Sequence, residues 1–117
     1  MTASAETVTL ARLAAQAAGE KLAENPVALD VSEPFGLAEI FLLVSGDNER
    51  QIVAIAEQVE ESMRLAGHKA RVLEGKQTAR WVLMDFGDLV VHVMHEQERE
   101  FYSLERLWKD CPVVSIS

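Results

Sequence analysis

The chain has 117 residues, 49% hydrophobic and 26% charged, and a net charge of −8 from 19 acids against 11 bases. That composition suits one soluble globular domain over residues 1–117, too apolar for disorder, and no run approaches the roughly 18 apolar residues of a membrane span. The acidic balance repels phosphate backbones, so autonomous nucleic-acid binding is disfavoured and a basic protein partner favoured. The opening Met1-Thr2-Ala3-Ser4-Ala5-Glu6 lacks the basic region of a signal peptide, and the lone Cys111 has no internal disulfide partner. Both fit a reducing, cytoplasmic setting.

Thr7 or Thr9 can cap a first helix running to about Glu24, with Leu10, Ala14, Ala17, Ala18 and Leu22 as its buried stripe. Asn25-Pro26 ends it, and Val27 to Val31 alternates as a short strand. After the Ser32-Glu33-Pro34-Phe35-Gly36 loop, Glu39 to Ser45 reads as a buried strand. Asn48 and Gln51 have the spacing of a capping box. Ile52, Ile55, Ala56, Val59 and Met63 then trace one helical face, which Gly67 terminates, while Glu57, Glu60, Glu61 and Arg64 lie on the solvated side. Lys69 to Glu74 is a third strand candidate, followed by a turn at Gly75-Lys76-Gln77-Thr78.

The next segment is the most informative. Two apolar runs, from Trp81 to Phe86 and from Leu89 to Met94, flank Gly87-Asp88 and read as a hairpin closed by a two-residue turn. Alternation puts Val82, Met84, Phe86, Leu89, Val91 and Val93 on one apolar face. Trp81 with Met94, Leu83 with His92 and Asp85 with Val90 form the other. Both faces need a cover, and the protein's own core explains one. His95 to Trp108 then reads as a last helix with Phe101, Leu104, Leu107 and Trp108 buried, stopped by Pro112, with a short extended or disordered tail from Val113. The order gives an α/β fold, one mixed sheet of about five strands with packed helices.

The catalytic inventory is thin. Asp85 and Asp88 could hold a divalent metal near a Ser45-Gly46 phosphate loop, but a turn aspartate ordinarily bonds its own backbone. Asp85-Phe86-Gly87 matches a kinase triplet by letters only, without the companion motifs. His92 and His95 lack a third ligand, and His92 beside Asp85 has no neighbouring nucleophile, so packing or interface hydrogen bonding accounts for it better. Ser45-Gly46-Asp47 could cradle an anion, although capping explains it equally well. Arg99 and Arg106 read as surface ion pairs with glutamates at helical spacing. Trp81 is the aromatic whose strand face has no obvious cover, and tryptophan is a usual interface anchor.

Three motifs in order carry a resemblance. They are Val44-Ser45-Gly46-Asp47-Asn48-Glu49-Arg50-Gln51 with Ala54-Ile55-Ala56; Glu74-Gly75 with Trp81 to Asp88 and Val90-Val91-His92-Val93; and Glu96, Arg99, Phe101-Tyr102, Leu104-Glu105 and Leu107-Trp108. From Thr7 to Trp108 the chain resembles the Iojap-like, ribosomal silencing factor family, departing at Met94, where the family usually has Phe. The resemblance implies a nucleotidyltransferase-like fold without known enzymatic activity or cofactor. It also implies docking on the large ribosomal subunit through the fourteenth large-subunit ribosomal protein, which blocks subunit joining and lowers translation when nutrients run short. Homodimers are a further family feature. The partner-binding residues it implies here are Trp81, Leu83, Met84, Asp85, Gly87, Asp88, His92 and Tyr102. A late large-subunit assembly factor and a metal-dependent nucleotidyltransferase are the alternatives.

Overall fold

The computed structural model describes residues 2–116. Helix α1 (Ala5–Glu20) leads into β1 (Glu24–Asp30) and β2 (Ile40–Gly46), then α2 (Glu49–Leu65), β3 (Val72–Glu74), β4 (Trp81–Asp85) and β5 (Leu89–His95). Helices α3 (Glu96–Tyr102) and α4 (Leu104–Leu107) and strand β6 (Val113–Val114) complete the chain. The strands form one sheet in the order β3-β4-β5-β2-β1-β6. Only β2 and β5 run parallel; the other neighbours are antiparallel. The sheet is mixed, as expected, but has six strands because the tail from Val113 pairs with β1. A two-residue strand has too little pattern to read in advance.

Helices α1 and α2 pack together over one face of the sheet. Ala11, Ala14, Ala17 and Ala18 are all buried there, and their small side chains let α1 approach closely. Ile52, Ile55, Ala56, Val59 and Met63 of α2 join Ile40, Leu42 and Val44 of β2 and Val82, Met84, Leu89, Val91 and Val93 of the hairpin in the same core. A second cluster lies on the opposite face. There Leu29, Val31, Ala38, Phe41, Leu43, Val90 and Met94 are buried, with Leu104 and Trp108 packed against them.

The ends of the helices follow local chemistry. Ser4, not Thr7 or Thr9, caps α1, accepting from the Thr7 N–H at 3.2 Å, and Thr7 itself is buried. The helix stops at Glu20, short of Glu24. Leu22, expected in its buried stripe, instead takes the left-handed conformation (φ 64°) and is 77% exposed. The Leu22 N–H bonds the Gly19 carbonyl and the Ala23 N–H the Ala18 carbonyl, the paired bonds of a Schellman ending. Gly67 ends α2 by the same device, with Gly67 N–H to Arg64 and His68 N–H to Met63. Asn25-Pro26 lies inside β1, where a register shift between Glu24 and Val27 accommodates it as a bulge with Asn25 at φ 51°.

The largest departure is the last helix, which breaks at Ser103 (φ 48°) into α3 and α4. The break redirects the chain so that Leu104 and Trp108 reach the sheet. Phe101 and Leu107, expected to be buried with them, face solvent. The third strand is likewise shorter than Lys69 to Glu74, only Val72–Glu74 being paired with β4.

Candidate functional site

Turn chemistry fixes the hairpin register. Trp81 pairs with Met94, Val82 with Val93, Leu83 with His92, Met84 with Val91 and Asp85 with Val90. The Asp85 carboxylate accepts the Gly87 N–H at 2.7 Å, and Gly87 has φ 98°, a conformation that disfavours a side chain. The Asp88 carbonyl accepts from the N–H groups of Glu39 (2.7 Å) and Ile40 (3.0 Å), tying the turn to the start of β2.

With that register, Trp81, Leu83 and Asp85 lie half-buried on the face opposite α1 and α2. The β3 register brings Val72 and Glu74 opposite Asp85 and Leu83, adding them to the same face. Tyr102 on α3 stands beside Trp81 with ring centroids 5.1 Å apart and is 53% exposed. Phe101, 80% exposed, meets Tyr102 edge-on at 5.0 Å. Trp81 is 6.0 Å from the His92 ring, which meets Phe41 at 5.0 Å; Phe35 and Trp108 close the far end against Phe41. Every Phe, Tyr and Trp except Phe86 thus belongs to one aromatic band across this face, open at Phe101 and Tyr102 and buried in the middle.

The expected site residues divide three ways. Trp81, Leu83, Asp85, Gly87, Asp88 and Tyr102 are at least partly accessible. Met84 is wholly buried on the α2 side, because alternation turns it away from its neighbours, and its side chain belongs to the core. His92 is only 4% exposed, and burial pushes its pKa down to about 4, so it is a neutral ring behind the surface. Its Nδ1 accepts from Trp81 Nε1–H at 3.1 Å, so the partner suggested by sequence order, Asp85, is not the one it meets.

The other polar groups near the turn and the helix starts have partners of their own. Asp85 bonds its own turn, and no cluster of three or more metal-ligating side chains occurs among the described residues. His95 caps α3, accepting from the Gln97 N–H at 3.1 Å. The space over Gly46 is filled: Gln51 Oε1 lies 2.7 Å from where a Cβ would stand and accepts from the Asp47 N–H. Asn48 accepts from the Gln51 N–H, so this loop is a helix cap, its reciprocal arm reaching Asp47 instead of Asn48.

Arg99 is not a surface ion pair. It is 8% exposed, pairs with Glu105 at 3.0 Å across the Ser103 break, and donates to Ser45 Oγ at 3.3 Å. It therefore pins α3 and α4 to the end of β2, beside a cavity of about 410 Å³ that Arg106 also lines. On the other side of α3, Arg80 bridges Glu98 (2.6 Å) and Glu49 (2.8 Å), holding both carboxyls below their usual range. Sequence reading placed Glu74 and Phe101 within the motifs but left them, like Val72, out of the contact set. The period-2 signal that could have placed Val72 and Glu74 spans only three residues.

Comparison with known proteins agrees over nearly the whole chain. The family described as "Ribosomal silencing factor during starvation" matches residues 3–117. Ribosomal silencing factor RsfS of Halalkalibacterium halodurans is 43% identical over 107 residues, covering 92% of each chain. The mouse protein named for mitochondrial assembly of the ribosomal large subunit is 30% identical over 73 residues, 60% of this chain and 32% of its own. A crystal structure from Chromobacterium violaceum superposes with TM-score 0.84 at 32% identity, covering 92% of this chain and 88% of that one. With the expected motifs assembled in one α/β fold, this chain belongs to the ribosomal silencing factor family.

Proposed function

We propose that this protein represses translation by docking on the large ribosomal subunit and excluding the small one. The contact surface is the outer face of β3 and β4 together with α3. The observation that carries the reading is the open end of the aromatic band: Trp81 and Leu83 are accessible on a strand whose other face is locked in the core, with Tyr102 of α3 accessible beside them. Rigid aromatic anchors with an acid beside them, here Asp85 and Glu74, suit a basic protein surface, and the net charge of −8 favours such an encounter. The family resemblance supports the fourteenth large-subunit ribosomal protein, at the intersubunit face, as that surface.

Exclusion needs occupancy and no bond chemistry, so a patch of about 800 Å² per partner is sufficient. On this reading the protein is not an enzyme, its nucleotidyltransferase-like fold serves only as a scaffold, and it works in the cytoplasm as a ribosome-bound repressor. A second copy docked through the same aromatic face would compete with the ribosome. Among the described residues no helix is long and apolar enough to cross a membrane. The name of the mouse relative favours a second reading, late assembly of the large subunit through the same surface.

The test is sedimentation of the protein with isolated large subunits, followed by addition of small subunits. Wild type co-sediments and prevents joining, whereas Trp81→Ala and Asp85→Arg do neither while remaining folded. Failure of wild type to bind, or undiminished binding and blocking by both variants, overturns the proposal.

A further inference from the structure

We propose that His92 is the positioning residue of this docking face: its Nδ1 holds the Trp81 indole in the orientation that meets the ribosome. The inference rests on the docking reading and extends it to a buried residue. An indole N–H only donates, so the 3.1 Å contact requires a bare Nδ1 and places the ring proton on Nε2. That Nε2 is buried and has no hydrogen-bond partner among the described residues. A buried donor without an acceptor destabilises the fold. Val90 and Met94, which precede and follow His92 on the same face of β5, are apolar and buried without that cost. His92 therefore occupies a position where an apolar residue would serve the core better, and among the described residues the one hydrogen bond of its ring is to Trp81.

The ring is itself fixed. Leu83 and Leu43 flank it in register on β4 and β2, and Phe41 meets it edge-on at 5.0 Å. On its outer side Trp81 meets Tyr102, which is itself half-exposed. An anchor already held in one orientation loses less freedom on binding, which strengthens association without adding a contact to the partner.

Two substitutions separate positioning from packing. His92→Phe keeps a ring and removes both the acceptor and the orphaned Nε2–H. His92→Asn keeps an acceptor two bonds from Cβ, where Nδ1 stands, but leaves a void. The expected order of affinity for large subunits is wild type, then Asn, then Phe, the last weaker than wild type by about threefold to tenfold. The expected order of thermal stability is the reverse for the variants: Phe at or above wild type, and Asn below it. Hydrogen exchange of the Trp81 indole proton, followed by NMR in the free protein, is slow in wild type and His92→Asn and fast in His92→Phe. Undiminished binding by His92→Phe, or affinities that follow stability, overturns the inference. If wild type itself does not bind large subunits, the docking reading fails. Indole exchange then decides positioning alone: fast exchange in wild type, or no change in His92→Phe, refutes it.

Discussion

The two faces of the β4–β5 hairpin are built from alternate residues of the same strands, yet they are covered to different extents. Toward α1 and α2, Val82, Met84, Val91 and Val93 are completely buried. Toward α3, Met94 and Val90 are covered by the smaller second cluster while Trp81, Leu83 and Asp85 stay partly open. Closing one face fully supplies the burial that stabilises the fold, which leaves the other free to keep aromatic surface accessible on a rigid backing. Stability and docking should therefore respond to different substitutions one residue apart.

The largest expected effect breaks that contrast from the covered side. Met84→Ala removes a wholly buried side chain and should cost about 2–5 kcal/mol, lowering Tm on the order of 10 °C. The protein that remains folded should still bind large subunits. A loss of docking out of proportion to the folded fraction, measured by calorimetry beside sedimentation, would mean that Met84 belongs to the contact surface after all.

Acid probes the residue between the two regions. Burial lowers the His92 pKa from 6.5 to about 4. Below pH 6.5 the unfolded imidazole takes up a proton that the folded one refuses until about pH 4. The contribution is thus intact above that window and falls as pH drops through it, by up to about 3 kcal/mol. Between about pH 7 and about pH 4.5 the urea midpoint should fall less for His92→Phe than for wild type, the other titrating groups being common to both. Parallel losses in the two proteins would show that His92 is not buried neutral.

From the open side, Trp81→Ala should weaken docking by about 2 kcal/mol or more, roughly thirtyfold, with a smaller change in stability because the indole is only half-buried. Binding unchanged beyond threefold in a gradient assay would remove Trp81 as an anchor.

The contrast between the faces was legible in the sequence because a two-residue turn at Gly87-Asp88 pins the register, and period 2 then assigns each side chain. Met84 illustrates the limit of motif membership: alternation already turned it inward, and only its place within a recognised motif put it among the contact residues. The last helix failed for the opposite reason. Phe101, Leu104, Leu107 and Trp108 satisfy helical spacing perfectly well in an unbroken helix, and nothing local marks Ser103 as left-handed. Its conformation is held by Arg99, which bonds Glu105 across the break and Ser45 from a distant strand. Such tertiary pairings have no signature in a short window.

The smallest effect is a gain. Leu22 sits in the left-handed position of a Schellman ending, where glycine is favoured, and its side chain is 77% exposed. Leaving that conformation to glycine relieves about 1–2 kcal/mol of backbone strain, against which the added freedom of the unfolded chain costs about 0.5–1 kcal/mol. Leu22→Gly should therefore stabilise the protein by about 0.5–1 kcal/mol, a few degrees in Tm. The turn lies beyond the end of α1, on the helix-covered side, so docking should stay at the wild-type level. A stabilised variant with weakened binding would locate a ribosome contact at this exposed leucine and extend the docking surface beyond the aromatic face. An unchanged affinity would confine it there, since the only thing the substitution removes besides strain is an apolar side chain in water.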